Sequence, residues 1–149
     1  MGGLLRLIFQ RVKSGRVYVG DRTVAEIGQG LVILLGIAPG DGEQQVRFLA
    51  EKTANLRIFE DELGKMNLSI LDVKGSSIVV SQFTLYADVR KGRRPSFTDA
   101  ALPETARPVV ERFVELLIAQ GVPTQAGEFG AHMLVEIAND GPVTILLEA

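Results

Sequence analysis

The sequence contains no cysteine and a single histidine in 149 residues. Without a thiol there is no thiolate nucleophile, no cysteine zinc site, no iron–sulfur cluster and no disulfide framework. Long hydrophobic runs are absent too. The longest, Leu31 to Pro39, is interrupted by Gly36 and falls well short of the ~20 residues that span a bilayer, so no membrane helix is expected. Arg6 and Arg11 break the apolar stretch near the start, which argues against a secretory leader. Arg6 also stands where a myristoylation signal wants Ser or Thr. These absences predict a cytoplasmic protein.

Neither sign of charge dominates. Sixteen Lys+Arg against 18 Asp+Glu give a formal net charge of -2 and a pI near 5.5, which excludes broad phosphate-driven binding to a duplex. Any contact with nucleic acid has to be small and local. With 46% hydrophobic and 23% charged residues, 149 residues form enough core for one domain over 1–149 without a disulfide or structural metal.

Leu4 to Val12 and Arg16 to Val19, separated by Ser14-Gly15, read as strands, and Gly20-Asp21 turns the chain into a third at Thr23 to Ile27. Leu31 to Ala38 is continuously apolar and reads as a strand buried on both faces, or as a central strand under helices. Asp41 is placed to cap a helix from Glu43, with Gln44 as its reciprocal partner. Val46, Leu49, Ala50, Thr53 and Leu56 then recur at helical spacing. Arg57 to Phe59 and Ser69 to Val73 flank a polar loop, and Ser76 to Ala87 reads as one long strand. A second helix starts at Pro103, carries Ala106, Val109, Val110, Phe113, Leu116 and Leu117, and stops at Gly121. Thr124 to Phe129, Leu134 to Ala138 and Val143 to Leu147 complete eight or nine strands. The expectation is an α+β fold: a curled, partly barrel-like antiparallel β-sheet with two helices packed on its outside.

Candidate chemistry is sparse. His132 is the one base available to a Ser-His-Asp triad, yet no G-x-S-x-G elbow precedes a serine, so it reads as a surface strand residue. Glu60-Asp61-Glu62 reads as a solvated turn, and no metal site or cofactor is expected. Arg90-Lys91-Gly92-Arg93-Arg94 concentrates four cations on a loop; it is either a local anion-binding patch or a solubilising loop. Ser81-Gln82-Phe83-Thr84-Leu85 offers hydroxyls, an amide and backbone N–H groups, enough for an oxyanion hole, but Ser and Thr are also ordinary strand residues. Gly141-Pro142 is a turn where a cis bond is tolerated, or a plain hairpin.

Taken together, Ser81-Gln82-Phe83-Thr84-Leu85-Tyr86-Ala87-Asp88, Gly92-Arg93-Arg94-Pro95-Ser96-Phe97, Phe129-Gly130-Ala131-His132-Met133 and Asn139-Asp140-Gly141-Pro142-Val143-Thr144 resemble the D-aminoacyl-tRNA deacylases. So does Gln10-Arg11-Val12. The resemblance runs from Leu4 to Glu148, with separated motifs in the family's order. It implies an enzyme that hydrolyses the ester of a D-amino acid, or of glycine, at the terminal adenosine of tRNA, for chiral proofreading in translation. It implies a homodimer in which a cis Gly141-Pro142 pair from one subunit enters the other's pocket and excludes L side chains with main-chain atoms.

The same resemblance places Ser81, Gln82, Phe83 and Thr84 around the ester, with Phe129, Gly130, Ala131 and Met133 holding the adenosine. Arg11 would support the Gly-Pro loop, and Arg90, Lys91, Arg93 and Arg94 would meet tRNA phosphates. Thr84 lacks a base to activate it, so attack by water assisted by the RNA 2′-hydroxyl is expected. A non-catalytic nucleic-acid-binding protein of the same fold is the alternative.

Overall fold

The computed structural model describes residues 4–40 and 42–149. Within them the chain forms β1 (Arg6–Val19), β2 (Arg22–Ile27), β3 (Gly30–Gly36), α1 (Glu43–Asn55), β4 (Phe59–Glu60) and β5 (Met66–Leu68). It continues through β6 (Ser76–Ser81), a 3-10 turn (Phe83–Tyr86), α2 (Pro103–Ala119), β7 (Thr124–Ala126) and β8 (Leu134–Glu148). The main sheet is ordered β2-β1-β3-β6-β7, with β8 also on β1, and β4-β5 form a separate ribbon.

The expected α+β architecture, a curled sheet carrying two helices, is the one found. The sheet is mixed, however. β1 is antiparallel to β2, β3 and β8, whereas β3–β6 and β6–β7 are parallel. The departure from an all-antiparallel sheet has a topological cause. α1 lies between β3 and β6, and α2 between β6 and β7, and such crossovers return the chain in its original direction.

β3 is buried along nearly its whole length because it serves two cores. Leu31, Ile33 and Leu35 pack with Leu7, Phe9, Val46, Leu49 and Phe113 under the helices. Val32 faces the other way, into the curl, with Val12, Val17, Ile27, Ile78 and Val80. The Gln125 side chain closes the curl by bridging the edge strands: Nε2 donates to the Glu26 carbonyl at 2.8 Å and Oε1 accepts from the Glu26 N–H at 2.9 Å.

Several local expectations are corrected. Ser14-Gly15 does not divide the first strand. Gly15 pairs with both Ile27 and Ile137, and a Cβ there would stand 2.7 Å from Val32 Cγ2, so this glycine serves close sheet packing. The long strand expected to Ala87 ends at Ser81, where the 3-10 turn begins. Residues 134–148 form one strand whose pairing with β1 shifts register around the Gly-Pro segment.

Helix α1 starts at Glu43 as expected, but its N-cap is Gly42, and the reciprocal partner is Gln45, whose Oε1 accepts the Gly42 N–H at 3.1 Å. Asp41 lies outside the described residues. Helix α2 begins with Pro103 and contains Pro108. Beyond its last residue, Ala119, the helix is closed at Gly121 (φ +104°), with Gly121 N–H on the Ile118 carbonyl and Val122 N–H on that of Leu117, a Schellman closure.

Candidate active site

β6 carries Ser81 to the rim of the sheet, on the same helix-facing side as Val79. There the Gln82 N–H donates to the Leu35 carbonyl at 2.8 Å, the last bond along β3, and the chain turns into the 3-10 segment. Tyr86 anchors that segment. Its hydroxyl is hydrogen-bonded to the carbonyls of Gly36, at 3.0 Å, and Leu4, while the Arg6 guanidinium lies 5.1 Å from its ring centroid. Arg6 Nη1 also donates to the Leu85 carbonyl at 3.1 Å. The start of a helical turn leaves backbone N–H groups without intrahelical acceptors, and here those groups belong to Phe83 and Thr84.

A cavity of about 410 Å³ opens beside this turn. Ser81 and Phe83 form one wall, Phe129, Gly130, Ala131 and Met133 another, and Ala101, just before α2, with Pro103 and Ala106 from its first turn, complete it. Six of the residues singled out from sequence therefore meet in one place. Phe83 is held upright by Phe97, whose ring meets it edge-on with centroids 5.0 Å apart. Gln82 and Thr84 are not in the lining; Gln82 Nε2 donates to Thr84 Oγ1. Among the described residues, those lining the cavity include no acid and no base. His132 is exposed.

Gly141 and Pro142 are elsewhere in the same chain. Register places Ser81 opposite Leu35, and Leu35 opposite Leu7, whereas the Gly-Pro segment lies beside Gln10 to Val12, across β1. Its peptide bond is cis. Arg11, 4% exposed, fixes the segment. Its Nε donates to the Asp140 carbonyl and Nη1 to the Ile58 carbonyl, both at 2.8 Å, and Glu60 pairs with Nη2 at 3.7 Å. The β4-β5 ribbon thus holds one side of the guanidinium and the Gly-Pro loop the other.

Asn139 closes the loop from within, a role that the sequence reading missed. Its Oδ1 accepts the Val143 N–H at 2.8 Å and Nδ2 donates to Thr144 Oγ1 at 3.3 Å. An Asn shortly before Gly-Pro was the available signal, because its side chain readily bonds nearby backbone.

The basic loop is pinned at both ends. Asp88 and Ser96 exchange backbone hydrogen bonds at 2.7 and 2.9 Å, and Phe97 then reaches Phe83. Arg90 folds back on Asp88 through two bonds of 2.9 and 2.8 Å, so its charge is partly spent inside the loop, while Lys91, Arg93 and Arg94 are exposed. The Arg90 guanidinium and backbone N–H hold the Asp88 carboxyl down at about 2. A carboxylate with a lowered folded-state pKa adds stability above its ordinary value near 3.8, and that contribution is lost as pH falls through about 2. A carboxyl-carbon NMR titration should give Asp88 a midpoint near 2, and Arg90→Ala should return it toward the ordinary value. An unperturbed midpoint in the unmodified protein would show the pair to be open in solution.

Comparison with known proteins matches residues 8–148 to the D-Tyr-tRNA(Tyr) deacylase family. A D-aminoacyl-tRNA deacylase of Roseiflexus sp. (strain RS-1) is 59% identical over 145 residues, 97% of this chain and 94% of the relative. One of Carboxydothermus hydrogenoformans is 58% identical over 144 residues, 97% and 99% of the two chains. Among solved structures, a c-Myc DNA Unwinding Element Binding Protein superposes with a TM-score of 0.90 at 40% identity, covering 97% of this chain and 98% of that one. A probable eukaryotic D-amino acid tRNA deacylase shares the fold, with a TM-score of 0.84 at 18% identity over 99% and 100% of the chains. On the family match and these near-full-length identities, the chain belongs to the D-Tyr-tRNA(Tyr) deacylase family.

Proposed function

We propose that this chain, one domain over residues 1–149, hydrolyses D-aminoacyl-tRNA and glycyl-tRNA in the cytoplasm, and rejects L-aminoacyl-tRNA. The observation that carries this reading is the separation just described. A cavity lined by Ser81, Phe83, Phe129, Gly130, Ala131 and Met133 lies apart from the Gly141-Pro142 segment of its own chain, and that segment is held by the buried Arg11. A second copy supplies the missing wall, which makes the working unit a homodimer.

Phe129, Gly130, Ala131 and Met133 take the terminal adenosine by apolar packing and main-chain hydrogen bonds. Ser81 and Phe83 meet the ester, with Gln82 and Thr84 flanking them just outside the cavity lining, and the Phe83 N–H stabilises the oxygen that becomes negative. Water adds to the carbonyl carbon and the carbon–oxygen bond to ribose breaks. The water proton ends on the ribose oxygen, assisted by the neighbouring 2′-hydroxyl. Gly141 and Pro142 of the other copy present main chain to Cα. An L side chain collides with it, a D side chain points away, and glycine has nothing to collide. The exposed cations Lys91, Arg93 and Arg94, with Arg90 tethered to Asp88, meet the nearest phosphates.

Because the side-chain partner of Thr84 is the Gln82 amide and no base accompanies it among the described residues, Thr84→Ala should keep catalysis within about tenfold. A complete loss, or a burst of covalent aminoacyl-enzyme, would make Thr84 the nucleophile.

The reading is tested by incubating purified protein with D-Tyr-tRNA, Gly-tRNA and L-Tyr-tRNA without added metal. Release of D-tyrosine and glycine, with the L ester spared, supports it. Silence on all three, together with DNA binding, favours the non-catalytic nucleic-acid-binding alternative, with which the name of the 40% identical structure agrees.

A further inference from the structure

A second cavity of about 540 Å³ lies between α2 and the β6–β7 edge. Nothing in the proposed chemistry uses it. It adjoins the first cavity, because Ser81 and Phe129 line both. Its floor is apolar, from Val79, Val110, Val114 and Ala126, and its rim is charged.

Two rim residues stand out by their partners. Arg107, exposed on α2, lies with its guanidinium 5.2 Å from the centroid of Phe129, directly at the seam between the cavities. It has no carboxylate partner among the described residues. Glu111, one helical turn on, is likewise without an ion pair among them, whereas Glu115 is taken by Arg112 and Glu128 by Arg22.

We propose that this second cavity binds the base of the nucleotide preceding the terminal adenosine, with Arg107 on the linking phosphate and Glu111 accepting a hydrogen bond from an exocyclic amine. The inference rests on the deacylase reading, which puts adenosine against Phe129. A chain leaving that slot crosses the seam, where a stacked cation without an anion suits a phosphodiester. An apolar floor of this size accommodates a planar base. Glu111, the one rim carboxylate without an ion pair among the described residues, is an acceptor only, so it favours a base edge that donates, as cytosine N4 does, over one that presents a carbonyl, as uracil O4 does.

The test compares three small esters on the unmodified protein: D-tyrosyl-adenosine, and the D-tyrosyl esters of cytidylyl-adenosine and uridylyl-adenosine. KM for the cytidylyl ester should be about tenfold below that for the nucleoside ester, and the uridylyl ester should lose most of that gain. Glu111→Ala should erase the difference between the two dinucleotides, and Arg107→Gln should narrow the gap between dinucleotide and nucleoside esters. Equal KM values for all three esters would overturn the proposal, as would a cytidylyl preference that survives in Glu111→Ala. Hydrolysis of the nucleoside ester in the same experiment keeps the deacylase reading intact whichever way the subsite falls. Failure to cleave any ester, D-Tyr-tRNA included, would instead remove the reading on which the subsite depends.

Discussion

Gly141→Ala is expected to lower kcat/KM on D-Tyr-tRNA by about 100-fold, the scale on which a 1 Å misplacement of a positioning group acts. The residue has φ +145°, where an L side chain is strained. A Cβ there would lie 2.8 Å from Val143 Cγ2, 3.0 Å from the Val143 nitrogen and 3.2 Å from Arg11 Nη2. Two of those neighbours belong to the loop itself and one to its anchor, so the backbone has to move. The cost to stability should be ~1–3 kcal/mol, small enough for the protein to fold. Melting temperature and D-ester turnover measured on the same preparation separate the two effects. Turnover matching the unmodified protein would show that the segment does not touch substrate.

Arg11→Met is expected to cost more stability, ~2–4 kcal/mol by urea unfolding, because it strips donors from two carbonyls that the guanidinium satisfies together. The Ile58 carbonyl is buried in that bond; Glu60 and Asp140 carboxylates are partly exposed and regain water, which limits the loss. Arg11→Lys keeps the charge but cannot fork to Ile58 and Asp140 at once, so it should fall between the two. Rejection of the L ester should weaken in the same order, since the loop is held through Asp140. A variant of unchanged stability and unchanged D/L ratio would contradict the bracing role.

Much of this was legible in the sequence where the signal was local. The apolar periodicity of 43–55 and 103–119, the Gly121 stop and the two-sided burial of β3 follow from spacing alone. What was not legible depended on partners distant in the chain. Gly15 looks like a turn residue until Val32 is seen beside it. Ser76 to Ala87 carries strand-like residues throughout, yet Gly36, lacking a side chain, leaves room for the Tyr86 ring and sets the turn at Ser81. Parallel pairing of β3 with β6 is decided by the helix between them, and the continuous apolar run of β3 shows its burial but not the direction of its neighbour.

The candidate site divides the same way. The family resemblance implied a shared pocket and a Gly141-Pro142 pair acting from another subunit, but the spacing of the residues alone shows neither; six of them line one cavity while Gly141 and Pro142 stand apart. Arg11 shows in sequence only as a charge interrupting an apolar strand. Its buried hold on two separate segments required the fold.

The most direct test of the account is to mix two disabled variants. Gly141→Ala retains an intact adenosine cavity, and Phe129→Ala retains an intact Gly-Pro segment. If one copy completes the other's site, subunit exchange creates a dimer with one whole site, and D-Tyr-tRNA hydrolysis should return to a substantial fraction of the unmodified rate. Activity that stays at the sum of the two separate variants after confirmed exchange would contradict a site shared between copies.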